Sequence, residues 1–122
     1  PLDLAVCDVS FISLRLVLPV AYRLLKPQGQ MLTLIKPQFE AGREKVGKKG
    51  VVRDPAVHTE VIETVLKSAK QIGFTPVGLT YSPIKGPEGN IEFLAQLHKQ
   101  DDGSFPDIAA VVRQAHENAR WL

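Results

Sequence analysis

The run Met31-Leu32-Thr33-Leu34-Ile35, apolar but for one threonine and stopped by Lys36-Pro37, does most to constrain the fold of this chain. A short apolar run bounded by proline reads as a buried, helix-covered strand. Pro37 cannot donate to a ladder and holds Lys36 extended, so the strand ends at Ile35 with a lone lysine beyond it. In an open α/β sheet, chemistry collects at the carboxyl ends of strands. A second apolar run, Leu4-Ala5-Val6-Cys7, is followed by Asp8, an acid in the equivalent place. Asp8 and Lys36 are therefore candidate partners.

Strand and helix patterns alternate along the rest of the chain. The first strand covers Leu2 to Cys7. A helix is expected from Ser13, its N-cap, to Lys26, with Pro27 and Gly29 marking its end. Pro19 falls inside it and should kink the helix or mark its true start. The second strand runs from Gln30 to Ile35, and a loop dense in Gly and Lys follows from Pro37 to Arg53. Asp54-Pro55 reads as N-cap and first residue of a helix ending near Gly73. Within it Val57, Val61, Val65 and Ala69, with Ile62, Leu66 and Ile72, form the wide apolar stripe of a helix lying on a sheet.

Further strands are expected over Pro76 to Tyr81 and Ile91 to Leu97, and a turn over Asp101 to Ser104. A last helix begins near Pro106, with the apolar line Ile108, Val112, Ala115, Ala119 and Leu122. The Ser82 to Asn90 loop has nine residues, too few for a helical crossover, so strands three and four should pair antiparallel. The whole is the second half of a doubly wound α/β sheet.

At 122 residues the chain holds one domain at most. Its net charge is only +2, so affinity for nucleic acid must come from local clustering. The single cysteine, Cys7, excludes an internal disulfide, speaks against a cysteine zinc site and reads as core. No apolar run approaches the ~18 residues of a membrane-spanning helix. His58, His98 and His116 show no ligand spacing and read as surface or helix-face residues, so no metal site is expected. The densest basic stretch, Arg43, Lys45, Lys48, Lys49 and Arg53, lies in a loop with Gly42, Gly47 and Gly50. It reads either as a flap gripping RNA phosphates or as a solvated loop. Phe11 and Phe39 read as packing rather than base-stacking residues, and Glu40 and Glu44 are placed to hold the loop closed.

Four stretches carry a family resemblance. They are Asp8-Val9-Ser10-Phe11, Ile35-Lys36-Pro37-Gln38-Phe39-Glu40, Gly47-Lys48-Lys49-Gly50-Val51-Val52-Arg53-Asp54-Pro55 and Gly86-Pro87-Glu88-Gly89-Asn90-Ile91-Glu92-Phe93. Taken in order, they resemble the TlyA or hemolysin-like family, which belongs with the FtsJ-like RNA ribose methyltransferases. The resemblance runs from Leu2 to about Leu97.

It implies an S-adenosylmethionine-dependent 2′-O-methyltransferase acting on ribosomal RNA in the cytoplasm. It also implies a Rossmann-like sheet in which the last strand is inserted antiparallel beside the second. Of the family's Lys-Asp-Lys-Glu set, the last three fall on Asp8, Lys36 and Glu92, with Asp8 also facing the cofactor. The first lysine, the glycine-rich cofactor turn and an S4-like domain would lie upstream. Residues 1–122 thus resemble the carboxyl half of a methyltransferase domain, expected to be inactive alone and to bind the cofactor weakly.

In that topology Asp8, Lys36 and Glu92 meet along one rim of three adjacent strands. Lys36 would accept the proton of a ribose hydroxyl if neutral, or orient it and stabilise the emerging alkoxide if charged. The Asp8-Val9-Ser10-Phe11 turn lacks the prolines of the Asp/Asn-Pro-Pro-aromatic turn common in amino-group methyltransferases, which favours oxygen as the acceptor. The alternatives are a non-catalytic RNA-binding module and a membrane-active hemolysin, the latter disfavoured because each amphipathic helix has a sheet to cover. Strand Leu2 to Cys7 is expected at a sheet edge, where an apolar, parallel-type rim invites self-association.

Overall fold

The computed structural model describes residues 2–9, 12–42, 45–47, 50–86, 89–100 and 103–119. Its elements are β1 (Leu2–Cys7), α1 (Leu14–Leu24), β2 (Leu25–Ile35), α2 (Pro37–Glu40), α3 (Pro55–Ile72), β3 (Thr75–Tyr81), β4 (Phe93–His98) and α4 (Ile108–Ala119). The strands form one sheet in the order β1-β2-β4-β3. β1 and β2 are parallel, and β4 runs antiparallel to both of its neighbours. The expected insertion of the last strand beside the second is therefore observed.

Period-two alternation divides the sheet cleanly. On one face Cys7, Met31, Thr33, Ile35, Phe93, Ala95 and Leu97 are all buried. They share a core with Leu14, Leu18 and Ala21 of α1, with Ile62, Val65, Leu66 and Ala69 of α3, and with Ile108, Val112 and Ala115 of α4. Each such large apolar side chain contributes roughly 1.5–3 kcal/mol. The opposite face carries Leu4 and Val6, 51% and 73% exposed, beside the half-buried Leu32, Leu34 and Leu94. On α1, Leu16, Val20 and Leu24 are also exposed apolar side chains.

The helix termini follow from local chemistry. Ser13 caps α1 by accepting from the Arg15 N–H at 3.2 Å, and Asp54 caps α3 by accepting from Ala56 N–H at 2.9 Å, with Pro55 next to it. Gly73 ends α3 with φ of 128°, a conformation that side chains resist, and a Cβ there would overlap Tyr22. α1 continues across Pro19, so the proline neither starts the helix nor ends it.

Several expectations are corrected. α1 stops at Leu24, not Lys26, because the chain extends at once to pair Leu25 with Leu2. The partners of Leu2 and Leu4, Leu25 and Gln30, lie five positions apart on β2, so the Pro27–Gly29 stretch bulges and the even ladder begins at Gln30. Pro37 starts a one-turn helix rather than a loop. β4 begins at Phe93 rather than Ile91, and α4 at Ile108 rather than Pro106. The side chains of Ala119 and Leu122 lie outside the described residues.

The loop before α3 is also less free than a flap. Val51 and Val52 are buried, and the Asn90 side chain fastens them to the β3–β4 connection. Its Oδ1 accepts from Val52 N–H at 3.0 Å and its Nδ2 donates to the Gly50 carbonyl at 2.9 Å. His58 is fully buried rather than on the surface, because it lies on the apolar side of α3 against the Phe93 ring. Its Nε2–H donates to the Val52 carbonyl at 2.9 Å, and its Nδ1 accepts from His116 Nε2–H at 2.8 Å. Burial pushes His58 down to about 4 and His116 below its ordinary value, so both rings are neutral at pH 7.

Candidate active site

The sheet register builds the site. Cys7, Ile35 and Phe93 point into the core, so the residues just beyond them, Asp8, Lys36 and Glu92, take the parity of the uncovered face. Ile35 is paired with Phe93, which sets Lys36 and Glu92 beside each other where β2 leaves the sheet and β4 enters it. Ser82 N–H donates to the Glu92 carbonyl at 2.8 Å and extends the β3–β4 ladder to the same rim.

Lys36 and Asp8 form an ion pair, the lysine side chain 12% exposed and the aspartate 60%. An ammonium so deep in an apolar sheet edge needs such a partner. Glu92 is buried, 7% exposed, and its Oε2 accepts from Gln38 Nε2 at 3.1 Å. The carboxylate packs against Gly86 so closely that a Cβ there would overlap it.

One run of sequence organises three elements. Lys36 reaches Asp8 beyond β1, Gln38 reaches Glu92 before β4, and Glu40 reaches the start of α1. Glu40 accepts from Leu14 N–H at 2.6 Å and from Ser13 Oγ at 2.9 Å, placing an anion at the helix N-terminus. Among the described residues Glu40 therefore fastens α1 to the rim, a role its place beside the basic loop had not suggested, and Glu44 lies outside them. Sequence reasoning missed Gln38 and Asn90 as site-building residues; their only signal was their place inside the motifs around Lys36 and Glu92.

Of the basic stretch, Arg43, Lys48 and Lys49 lie outside the described residues. Lys45 is ion-paired with Glu60 of α3 at 2.6 Å, and Arg53 is exposed. Among the described residues no His/Cys/Asp/Glu group is arranged to hold a metal, and no helix is long and apolar enough to cross a membrane.

A family model described as FtsJ-like methyltransferase matches residues 1–99. The chain belongs to that family. It is 48% identical over 124 aligned positions to YqxC of Bacillus subtilis, covering 97% of this chain and 44% of that protein. It is 41% identical over 100 positions to the 16S/23S rRNA (cytidine-2′-O)-methyltransferase TlyA of Mycobacterium tuberculosis, covering 82% of this chain and 37% of that one. Hemolysin A of Brachyspira hyodysenteriae is 43% identical over 92 positions, covering 75% and 38%. A solved structure named "putative hemolysin" from Streptococcus thermophilus superposes with a TM-score of 0.92 at 48% identity, over 98% of this chain and 44% of that one. The chain thus spans less than half the length of the curated relatives it matches, and the α/β architecture is that of the FtsJ-like fold.

The residues present bear unevenly on S-adenosylmethionine. The β1–α1 turn, Asp8 to Ser13, contains no glycine, so it lacks the residue that lets backbone approach a cofactor closely. Asp8 fits better, as a largely exposed carboxylate at the rim that attracts a cationic sulfonium. Beside Glu92, Gln38 Oε1 is buried without a partner among the described residues, an acceptor left for a hydroxyl or amine.

Proposed function

We propose that this chain supplies the catalytic rim of an S-adenosylmethionine-dependent ribose 2′-O-methyltransferase acting on ribosomal RNA in the cytoplasm. In this reading residues 1–122 are the carboxyl half of the methyltransferase domain. The observation that carries it is the Lys36–Asp8 ion pair beside the buried Glu92–Gln38 pair, on three neighbouring strand ends of an FtsJ-like sheet.

Methyl transfer to an alcohol is first a matter of placing the oxygen in line. S-adenosylmethionine supplies the methyl group when bound. Asp8 anchors Lys36, which takes up the ribose 2′-hydroxyl proton if neutral; if charged, it donates to the 2′-oxygen, aims a lone pair and stabilises the emerging charge while the proton passes to solvent at the exposed Asp8 side of the rim. Glu92, held by Gln38 and backed by Gly86, accepts hydrogen bonds from the nucleoside and fixes the ribose. Asp8 also faces the sulfonium. Arg43, Lys45, Lys48, Lys49 and Arg53 grip phosphates of the strand, giving position rather than sequence.

The test is transfer of a labelled methyl group to unmodified ribosomal RNA by the full-length protein, with Lys36→Ala beside it. Label on ribose 2′-oxygens that falls by at least about a hundredfold in the variant is the expected result. Undiminished label removes Lys36 from the mechanism. RNA binding without label from either protein favours a non-catalytic RNA-binding module.

We also propose that β1 is a self-association edge when this chain is alone. Its unpaired side and the exposed Leu4 and Val6 present an apolar edge, and the exposed Leu16 and Val20 of α1 add apolar surface.

A further inference from the structure

A cleft of ≈ 340 Å³ opens on the helix side of the same rim, between Val51–Arg53 and the β3–β4 connection, with Lys85, Gly89, Ile91 and His116 completing its wall. Its size is within the roughly 300–1,000 Å³ of small-ligand clefts. Among the described residues every chargeable side chain lining it is basic: Arg53, Lys85 and His116. Lys26, Lys36 and Lys45 are ion-paired, whereas Arg53 and Lys85 have no carboxylate partner among the described residues. Two such cations facing one cleft repel each other unless an anion lies between them.

The walls are held in place before any ligand arrives. Asn90 ties Val52 and Gly50 to the β3–β4 connection, and Gly86 N–H donates to the Asn90 carbonyl at 2.7 Å. Gly89, with φ of 87°, lines the cleft with backbone alone, and a Cβ there would meet open space. Ile91, in the wall, directly precedes Glu92, so the cleft lies one residue along the chain from the rim.

His116 adds a proton-linked donor. Its Nε2–H is committed to His58 Nδ1, because His58 Nε2–H is committed to the Val52 carbonyl. Protonation of His116 therefore falls on Nδ1 and breaks neither bond. The surrounding charges are Asp54, the N-cap of α3, and His58 on α3, Arg53 and Lys85 in the loops, and Arg113 and Glu117 on α4. Burial disfavours the imidazolium and Asp54 favours it, and an anion in the cleft would favour it further.

We propose that this cleft is a phosphate site, formed by Arg53, Lys85 and His116, that takes a backbone phosphate of the RNA strand flanking the reacting ribose. The proposal rests on the RNA-methyltransferase reading and adds a named subsite to it.

The test titrates the chain with a fluorescein-labelled single-stranded RNA and, separately, with inorganic phosphate while following the His116 ring signals by NMR. The comparison variant is R53Q/K85Q. Both side chains lie at an open cleft, and an unchanged circular-dichroism melt shows that the variant is folded. The expected result is RNA affinity at least about tenfold weaker in the variant, from the loss of charged hydrogen bonds. The slope of log affinity against log salt should become shallower by about 0.7 for the one phosphate lost. In the wild-type chain RNA should shift the His116 signals, raise the pKa of that ring and bind more tightly as pH falls.

Equal affinity and equal slope in the two proteins overturn the cleft while leaving the RNA reading intact. Phosphate shifting His116 with no RNA binding supports the anion site and overturns its RNA occupant. His116 signals indifferent to both probes overturn the site altogether.

Discussion

Replacing Asn90 with alanine should release the segment at residues 50–53 from the β3–β4 connection while leaving the apolar core untouched. Asn90 is 2% exposed, so water does not replace the bonds that are lost. The Val52 N–H, 3.0 Å from Oδ1, is left unpaired in a buried setting, at a cost of about 1–3 kcal/mol. The Nδ2 bond to the Gly50 carbonyl, at 2.9 Å, contributes about 1 kcal/mol more. A total of about 2–4 kcal/mol is large for one substitution. In urea, with an m-value of about 1–3 kcal/mol per M, the midpoint should fall by about 1–2 M. Hydrogen exchange should place the loss: the Val52 amide should exchange on the order of a hundred times faster under native conditions. A midpoint lowered by less than about 0.3 M, with Val52 protection unchanged, would refute the assignment of Asn90 as the fastener.

The buried histidine makes stability pH-dependent. Because the folded-state value of His58, about 4, lies below its ordinary 6.5, its contribution is complete above pH 6.5 and is lost as pH falls toward 4. The loss should be on the order of 3 kcal/mol, with His116 acting in the same direction, and His58→Gln should flatten urea midpoints compared at about pH 7.5 and about pH 4.5. Glu40→Ala removes the anion bonded at Ser13 and Leu14 and should cost about 1–2 kcal/mol, read as a lower thermal midpoint; no change would show that Ser13 caps α1 unaided. Gly86→Ala forces the Glu92 carboxylate to move, so methyl transfer by the full-length protein should fall by at least about tenfold, with stability lowered by only about 1–3 kcal/mol. Val6→Lys should shift sedimentation of the isolated chain from associated species toward monomer, and a wild-type chain that is already monomeric contradicts the β1 edge contact.

The rim positions of Asp8 and Lys36 were legible because strand ends are written in one dimension, whereas Glu92 entered only through the family resemblance. An apolar alternation stops, a proline or charge follows, and the alternation assigns the next residue to a face. The antiparallel β4 was legible for the same reason, its connection being too short to cross over. Gln38, Glu40 and Asn90 were not, since each acts across 26 or more residues through a hydrogen bond that no local pattern announces. The start of β2 was misplaced because Pro27 and Gly29 end a helix convincingly but do not report that Leu25 will pair with Leu2. His58 left a usable signal. It precedes Val61 and Ile62 by three and four residues, on the apolar stripe of α3 rather than opposite it.

The pairing of Ile35 with Phe93 ties the chemistry to the interior. Sliding β4 by one residue against β2 would expose Phe93 and drive Glu92 toward the helices, so a misregistered sheet loses its core and its charged rim together. Selection that preserves folding therefore preserves the juxtaposition of Lys36 and Glu92 without acting on it.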